Sequence, residues 1–236
     1  VRAEAPEQFA VAAVAGNAGV ENTGLGGRNA FRIVSDVPVV AYQINPFEAA
    51  AIHTTDAALL IPTSALDTHY YAMSHPATFH RGLVNIIGTQ DNTTVTVTVA
   101  TGVAAGGGVP TLSAGQVYTT TINAFDNLQL STAVDNTDLS GTYIEADAPV
   151  AVFGGHQCAQ VPLGMGYCDH LEEQIMPLST WGTEYVCARH PPRHSEGVIW
   201  RFVAAENNTT LTFDPAVNGN LNLNAGQVAQ FSTAQD

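Results

Sequence analysis

The sequence contains no lysine; all seven of its basic residues are arginine. Charged residues fill only 12% of its 236 positions, and acids outnumber bases 21 to 7. A formal charge of -14 argues against binding nucleic acid or an anionic membrane through bulk electrostatics, since those partners carry the same sign. Long apolar runs are missing, so membrane insertion is not expected. The opening Val1-Arg2-Ala3-Glu4 lacks the apolar stretch of a secretory leader and reads as a mature or trimmed start. Cysteine is scarce: Cys158, Cys168 and Cys187, all in the second half. No segment keeps an amphipathic helical period over three turns, and Leu171 to Ile175 is the best short helical candidate. Gly102 to Gly108 is Gly-rich, but no Lys-Ser or Lys-Thr follows, which excludes a phosphate loop. Ser64 and Ser179 lack a nucleophile-elbow context.

What is present reads as β structure. Hydrophobic residues make up 45% of the chain, in short runs that suffice for a core. Thr94-Val95-Thr96-Val97-Thr98-Val99 alternates with period two, one face for a core and one for water. Asp91-Asn92 and Asn207-Asn208 are turn formers. Pro38 and Pro149 open apolar runs, where a missing N–H is tolerated. Asp36 and Asp147, two residues before those prolines, suit turn capping.

The chain also matches itself. Ser35 to Tyr42 matches Ala146 to Phe153, and Ile61 to Leu66 matches Met176 to Trp181. Asp91 to Thr96 matches Asn207 to Thr212, and Leu112 to Val117 matches Leu223 to Val228. The same spacing separates Pro38 from Pro149 and Gly115 from Gly226. The expected fold is all-β, as two tandem β-sandwich-like repeats in a pseudo-two-fold relation, with a β-propeller as the alternative. Residues 1–32 form an N-terminal strand and loop segment, 33–145 the first repeat, and 146–236 a second, truncated repeat. Phe9 to Val14 and Phe31 to Val34 are spare strands expected to fill the place left open in the second repeat, in the same chain or a neighbour. Asn17 to Gly27 reads as a loop.

The candidate site is the pair of strings Gly155-His156-Gln157-Cys158 and Gly166-Tyr167-Cys168-Asp169-His170. In extended chain, residues i and i+2 point the same way. His156, Cys158, Cys168 and His170 can therefore form a tetrahedral zinc site. The competing reading is a Cys158–Cys168 disulfide, favoured by an oxidising compartment and contributing roughly 2–3 kcal/mol. Free thiols or a bond to Cys187 are further options, although Cys187 reads as a small buried hydrophobe. Glu172-Glu173 reads as solvated, and His190 to His194 as a polar surface connector. His69, His75 and His80 are either groove-lining or scattered loop histidines. Asn92, Asn207 and Asn208 sit in N-glycosylation patterns that matter only in a eukaryote.

Asp147-x-Pro149-Val150-Ala151-Val152-Phe153, Gly155-His156-x-Cys158, Cys168-x-His170-x-x-Glu173-Gln174, Pro177, Trp181-Gly182 and Asn208-Thr209-Thr210 together resemble the IgGFc-binding protein N-terminal domain family. The resemblance runs from about Ile33 onward. It implies a secreted or cell-surface, non-enzymatic binding or adhesion module, with Cys158 paired to Cys168 and no catalytic residues. The implied partner is a protein or glycan surface, or further copies of the chain. One alternative is a structural subunit of an extracellular filament or surface layer built by β-strand addition. Another is a zinc-dependent hydrolase using His156 and His170. That zinc is the sole cofactor any of these readings invokes.

Overall fold

Val95 and Val97 are buried while Thr94, Thr96 and Thr98 stay near the surface, because successive strand residues face opposite sides of a sheet. The same in–out rhythm runs from Gly82 to Gly88. The computed structural model describes residues 24–26, 30–45, 56–189 and 197–234. The candidate strand Phe9 to Val14 and the His190 to His194 connector lie outside the described residues. The strands are β1 (Gly24–Gly26), β2 (Tyr42–Asn45), β3 (Asp56–Leu59), β4 (Asp67–Tyr71), β5 (Gly82–Gly88), β6 (Thr93–Thr98), β7 (Val117–Ile122), β8 (Asn127–Ser131), β9 (Tyr143–Ala159), β10 (Asp169–Gln174), β11 (Val198–Val203), β12 (Thr209–Leu211), β13 (Leu221–Leu223) and β14 (Val228–Thr233). The helical elements described are two single 3-10 turns, Thr63–Ala65 and Leu178–Thr180.

β9 organises the first half. Its opening residues lie between β4 and β6, with Tyr143 opposite both Tyr71 and Thr98. Its later residues lie between β5 and β10, with Phe153 opposite both Asn85 and Gln174. The changeover falls at Asp147-Ala148-Pro149, which none of the four ladders includes. A proline there forfeits no ladder bond. Asp147 Oδ1 accepts the Thr94 N–H at 2.8 Å and the Pro149 carbonyl accepts the Thr89 hydroxyl, so the corner is tied from both sides. One eight-stranded sheet thus curls around a shared strand. This corrects the picture of a sandwich of separate sheets or of four-stranded propeller blades. Val84, Ile86, Val95, Val97, Leu128, Leu130, Ile144 and Val152 fill the curl and are inaccessible to water.

The matched sequence blocks share local structure. Both 3-10 turns follow a proline, Pro62 or Pro177. Asn92 and Asn208 both take left-handed φ, at 58° and 60°, a conformation asparagine tolerates. Asp67 N–H donates to Tyr70 Oη at 3.0 Å, and Gly182 N–H to Tyr185 Oη at 2.8 Å. β2 pairs β3 with Tyr42 opposite Leu59, as β9 pairs β10 with Phe153 opposite Gln174.

The fourth block is a different matter. Asn224-Ala225-Gly226-Gln227 has its structural counterpart in Asn123-Ala124-Phe125-Asp126, not in the Leu112 to Val117 block. Phe125 N–H donates to Gly88 O, and Gly226 N–H to Ala204 O, each at 2.8 Å. Asn92 N–H donates to Asn123 Oδ1 at 3.1 Å, and Asn208 N–H to Asn224 Oδ1 at 3.2 Å. Ala124 N–H reaches Asp91 Oδ1, and Ala225 N–H reaches Asn207 Oδ1, each at 3.1 Å. In this frame β11 pairs β14 as β5 pairs β8, and β12 pairs β13 as β6 pairs β7. The misleading match arises because Ser113 to Gln116 is the same kind of turn, with Gly115 at φ 78°.

β11 is tied to the first sheet's side through a partly buried polar link. Arg201 of β11 donates to Asp138 Oδ2 at 3.0 Å and to Ser140 Oγ at 3.3 Å. Burial alone would raise the Asp138 pKa. The Arg201 guanidinium and the Ser140 bonds outweigh it and hold the carboxyl below its usual range.

Two further expectations are corrected. Leu171 to Ile175 is largely strand, its first four residues lying in β10, since pairing with β9 overrides a weak helical pattern. Cys187 is exposed, not buried. Tyr70 is wholly enclosed, accepting from Asp67 and donating to the Val150 carbonyl at 2.7 Å. Tyr70→Phe strands both groups and is expected to cost about 1–2 kcal/mol. The thermal midpoint then falls by about 2–8 °C; a midpoint within a degree of the parent would contradict it.

Candidate functional site: a stapled apolar loop

The site begins toward the far end of β9, where Gly154 and Gly155 pair β5 on one side and β10 on the other. Gly154 packs against the Met73 carbonyl and Gly155 against the Leu171 carbonyl so closely that a methyl group at either meets backbone oxygen. Glycine here lets three chain segments approach. Beyond it, Cys158 and Cys168 form a disulfide with their Cα atoms 5.1 Å apart, inside the ordinary range for such a bond. The two sulfurs are therefore not thiolates, the form zinc requires.

His156 and His170 have separate duties. The His156 ring is fully buried, and its Nδ1 accepts the Cys158 N–H at 3.1 Å. Its proton then sits on Nε2, which is buried without a hydrogen-bond partner. Burial, with His75, His80 and His170 nearby, pushes its pKa down to about 4. His170 contacts Glu172 Oε2 at 3.4 Å and the Gln157 carbonyl at 3.2 Å. The Glu172 bond holds its pKa above the ordinary value against partial burial. Among the described residues, no group of three or more His, Cys, Asp or Glu is placed to hold a metal ion.

The disulfide closes the loop Gln160 to Tyr167. Gln160 is buried beneath it, accepting from the Thr78 N–H at 3.2 Å and the Thr78 hydroxyl at 2.6 Å, and donating to the Met165 carbonyl. The Val161–Pro162 bond is cis, and Gly164 turns the chain at φ 86°. The side chains this scaffold presents are apolar. Val161, Leu163 and Met165 are about half exposed, and Tyr167 is 89% exposed. Apolar anchors on a braced loop lose little entropy when a partner covers them.

The IgGFc binding protein family model matches residues 56–236. The chain belongs to the IgGFc-binding protein family. It is similar to the human protein named IgGFc-binding protein, 32% identical over 207 residues, covering 86% of this chain and 4% of that protein. No solved structure matches it. The family match spans both cysteines, the loop and both matched halves after Asp56.

A concave feature lies elsewhere on this family member, between β3, β4, β10 and β11. An open groove of about 290 Å³ is lined by Leu59, Ile61, Tyr71, Met73, Met176, Trp181 and Val203 among others. Tyr71 stands 6.3 Å from Trp181 and 5.1 Å from Tyr143, ring centre to ring centre. Trp181 Nε1 donates to the Met176 carbonyl at 3.1 Å. His75 is buried, its pKa lowered by burial, while His69 lies on β4 at the surface. Asn92, Asn207 and Asn208 occupy exposed turns.

Reading the cysteines as ligands or as a staple overlooked the loop between them. Its signal is visible in the sequence. Val161, Leu163, Met165 and Tyr167 stand at alternate positions, spaced by proline and glycine. Such a segment cannot bury its own apolar side chains.

The histidines set a pH dependence of opposite signs. The fold favours neutral His156, while the unfolded ring titrates near 6.5. Stability is complete above pH 6.5 and falls as pH drops toward 4, by up to about 1.4 kcal/mol per unit. His75 acts in the same direction. His170, raised in the fold, adds stability below pH 6.5 that is lost as pH rises through its folded value. His156→Asn is expected to flatten the drop in urea midpoint between pH 7 and pH 5. An equal drop in parent and variant would refute this.

Proposed function

We propose that this chain is a non-enzymatic protein-binding module of secreted or cell-surface material, and that the loop Val161 to Tyr167 is its contact surface. The observation that carries the proposal is the loop itself: four apolar side chains held outward by a disulfide and by buried Gln160. Among them, tyrosine is enriched at the hot spots of protein interfaces and methionine is enriched at interfaces generally. The disulfide suits an oxidising compartment. The human relative's name ascribes to it binding of the Fc part of immunoglobulin G, which makes Fc the first probe. An adhesive role at a surface is the same chemistry in many copies.

The proposal also takes the chain as two tandem copies in pseudo-two-fold relation. The paired turn bonds and strand registers support this. Only the second repeat, residues 146–236, carries the loop, because the segment of the first repeat that matches the β9–β10 connection has no cysteine. One chain then offers one such contact.

Purified chain titrated against immobilised Fc is expected to bind saturably. Leu163→Ser with Tyr167→Ser is expected to weaken binding at least about tenfold and leave the thermal midpoint unchanged, since neither side chain is buried. Folded chain that ignores Fc removes Fc as ligand. Equal binding by parent and variant removes the loop.

A further inference from the structure

Phe31 to Tyr42 carries the sequence of a central strand but forms no ladder before β2. It aligns with residues 142–153, most of which lie in β9, and Pro38 matches the corner proline Pro149. Yet Phe31, Ile33, Val34, Val37, Val39 and Val40 are all more than half exposed. Ile144 and Val150, the counterparts of Ile33 and Val39, are at zero exposure.

The second half shows the complementary deficit. β11 is the counterpart of β5, which lies between β8 and β9. β11 has β14 on one edge and, among the described residues, no strand on the other. Its residues are all half-buried, where β5 alternates between buried and half-buried. Tyr185, the counterpart of Tyr70, is 68% exposed against 0%. Tyr70 Oη donates to the Val150 carbonyl, whose counterpart is Val39.

We infer that Phe31 to Ile44 is the strand that completes the second half, closing on the free edge of β11 and on β12 in the same chain. This rests on reading the halves as tandem copies. The same chain is chosen because both ends of the segment are already in place. Ala30 N–H bonds the Phe125 carbonyl at 3.2 Å, while Gly141, its counterpart, packs on Gly226, the counterpart of Phe125. At the other end, β2 is held by β3 in the register of β9 on β10. Leu59 of β3 and Val203 of β11 line one groove, so the closing distance is short and the tether favours the local strand.

The register follows from the first half. Ile87 faces Ala151 across the β5–β9 ladder and Gly82 faces His156. Val203 therefore faces Val40, Phe202 faces Ala41 and Arg201 faces Tyr42. Tyr185 Oη then donates to the Val39 carbonyl. Trp200 and Phe202 gain a cover, and the exposed row from Phe31 to Val40 is buried or shared.

The test places Val40→Cys with Val203→Cys in a Cys187→Ser background, since directly opposed strand residues lie within disulfide reach. Mild oxidation is expected to give a monomer of altered mobility that reverts on reduction. Val39→Cys with Val203→Cys, one residue out of register, is expected to bond at least about tenfold less. Absence of the first bond, or a bond that joins two chains, overturns the inference. In the unsubstituted chain, alternate amides between Val37 and Ala41 should exchange about a hundredfold slower than in open chain. Open-chain exchange throughout that stretch also overturns it. Neither readout involves Fc, so this result stands or falls apart from the binding proposal.

Discussion

The fold depends on one strand serving two layers. A strand can bond a neighbour on each edge, and β9 does so twice, with β4 and β6 before its corner and β5 and β10 after it. The corner works because proline forfeits nothing where no ladder bond is due. Asp147 and Thr89 supply the bonds that the ladder does not. From this the rest follows in order. The curl brings Val84, Val95, Leu128, Ile144 and Val152 into one core. The far end of the strand emerges with its glycines pressed on neighbouring backbone. What β9 carries past that point is held by contacts made well inside the protein, which is why a surface loop there can be rigid.

The proposed contact surface and the stability of the fold meet at that end. His156 is buried as a neutral ring beneath the hairpin, and Gln160 is buried beneath the loop. Both are polar groups enclosed at a cost, which only firm hydrogen bonding offsets. Gln160 meets this with bonds to Thr78 and Met165. His156 meets it in part, with Nδ1 satisfied and Nε2 left over. The disulfide adds a covalent limit to how far the hairpin can open. Apolar side chains can then face water without the loop collapsing onto the protein, a condition that a binding surface needs and an ordinary loop lacks.

Much of this was legible in the residues. Alternating Thr and Val meant strands, Asp91-Asn92 and Asn207-Asn208 meant turns, and Pro149 meant a strand position with no donor, whereas Pro38 lies outside any strand. Each is a local rule, and local rules survive in the fold. The shared strand was not legible, because no periodicity says how many neighbours a strand will have. The matching of turns failed at one place for a physical reason. Ser113 to Gln116, Asn123 to Asp126 and Asn224 to Gln227 each close with a bond from the fourth residue's N–H to the first residue's carbonyl. They also share a left-handed third residue, which is Gly115, Phe125 or Gly226. Sequence favours the pair that both use glycine. Hydrogen bonding pairs Phe125 with Gly226, since only those two lie on the Gly88 and Ala204 carbonyls.

That correction changes what the second half means. With Gly115 as the partner of Gly226, β14 would match β7 and β13 would have no counterpart among the named strands. With Phe125 as the partner, the pairings of β11 with β14 and β12 with β13 parallel those of β5 with β8 and β6 with β7, and among the described residues no strand stands where β9 does. The first half shows what belongs there, a strand with an aspartate and a proline at its corner. Among the described residues, Phe31 to Tyr42 has the same aspartate and proline pattern, forms no ladder before β2 and lies exposed. Apolar residues in that number seldom face water without a partner surface. Among the described residues, the open edge of β11 and the exposed segment Phe31 to Ala41 are complementary, and the proposed pairing would satisfy both.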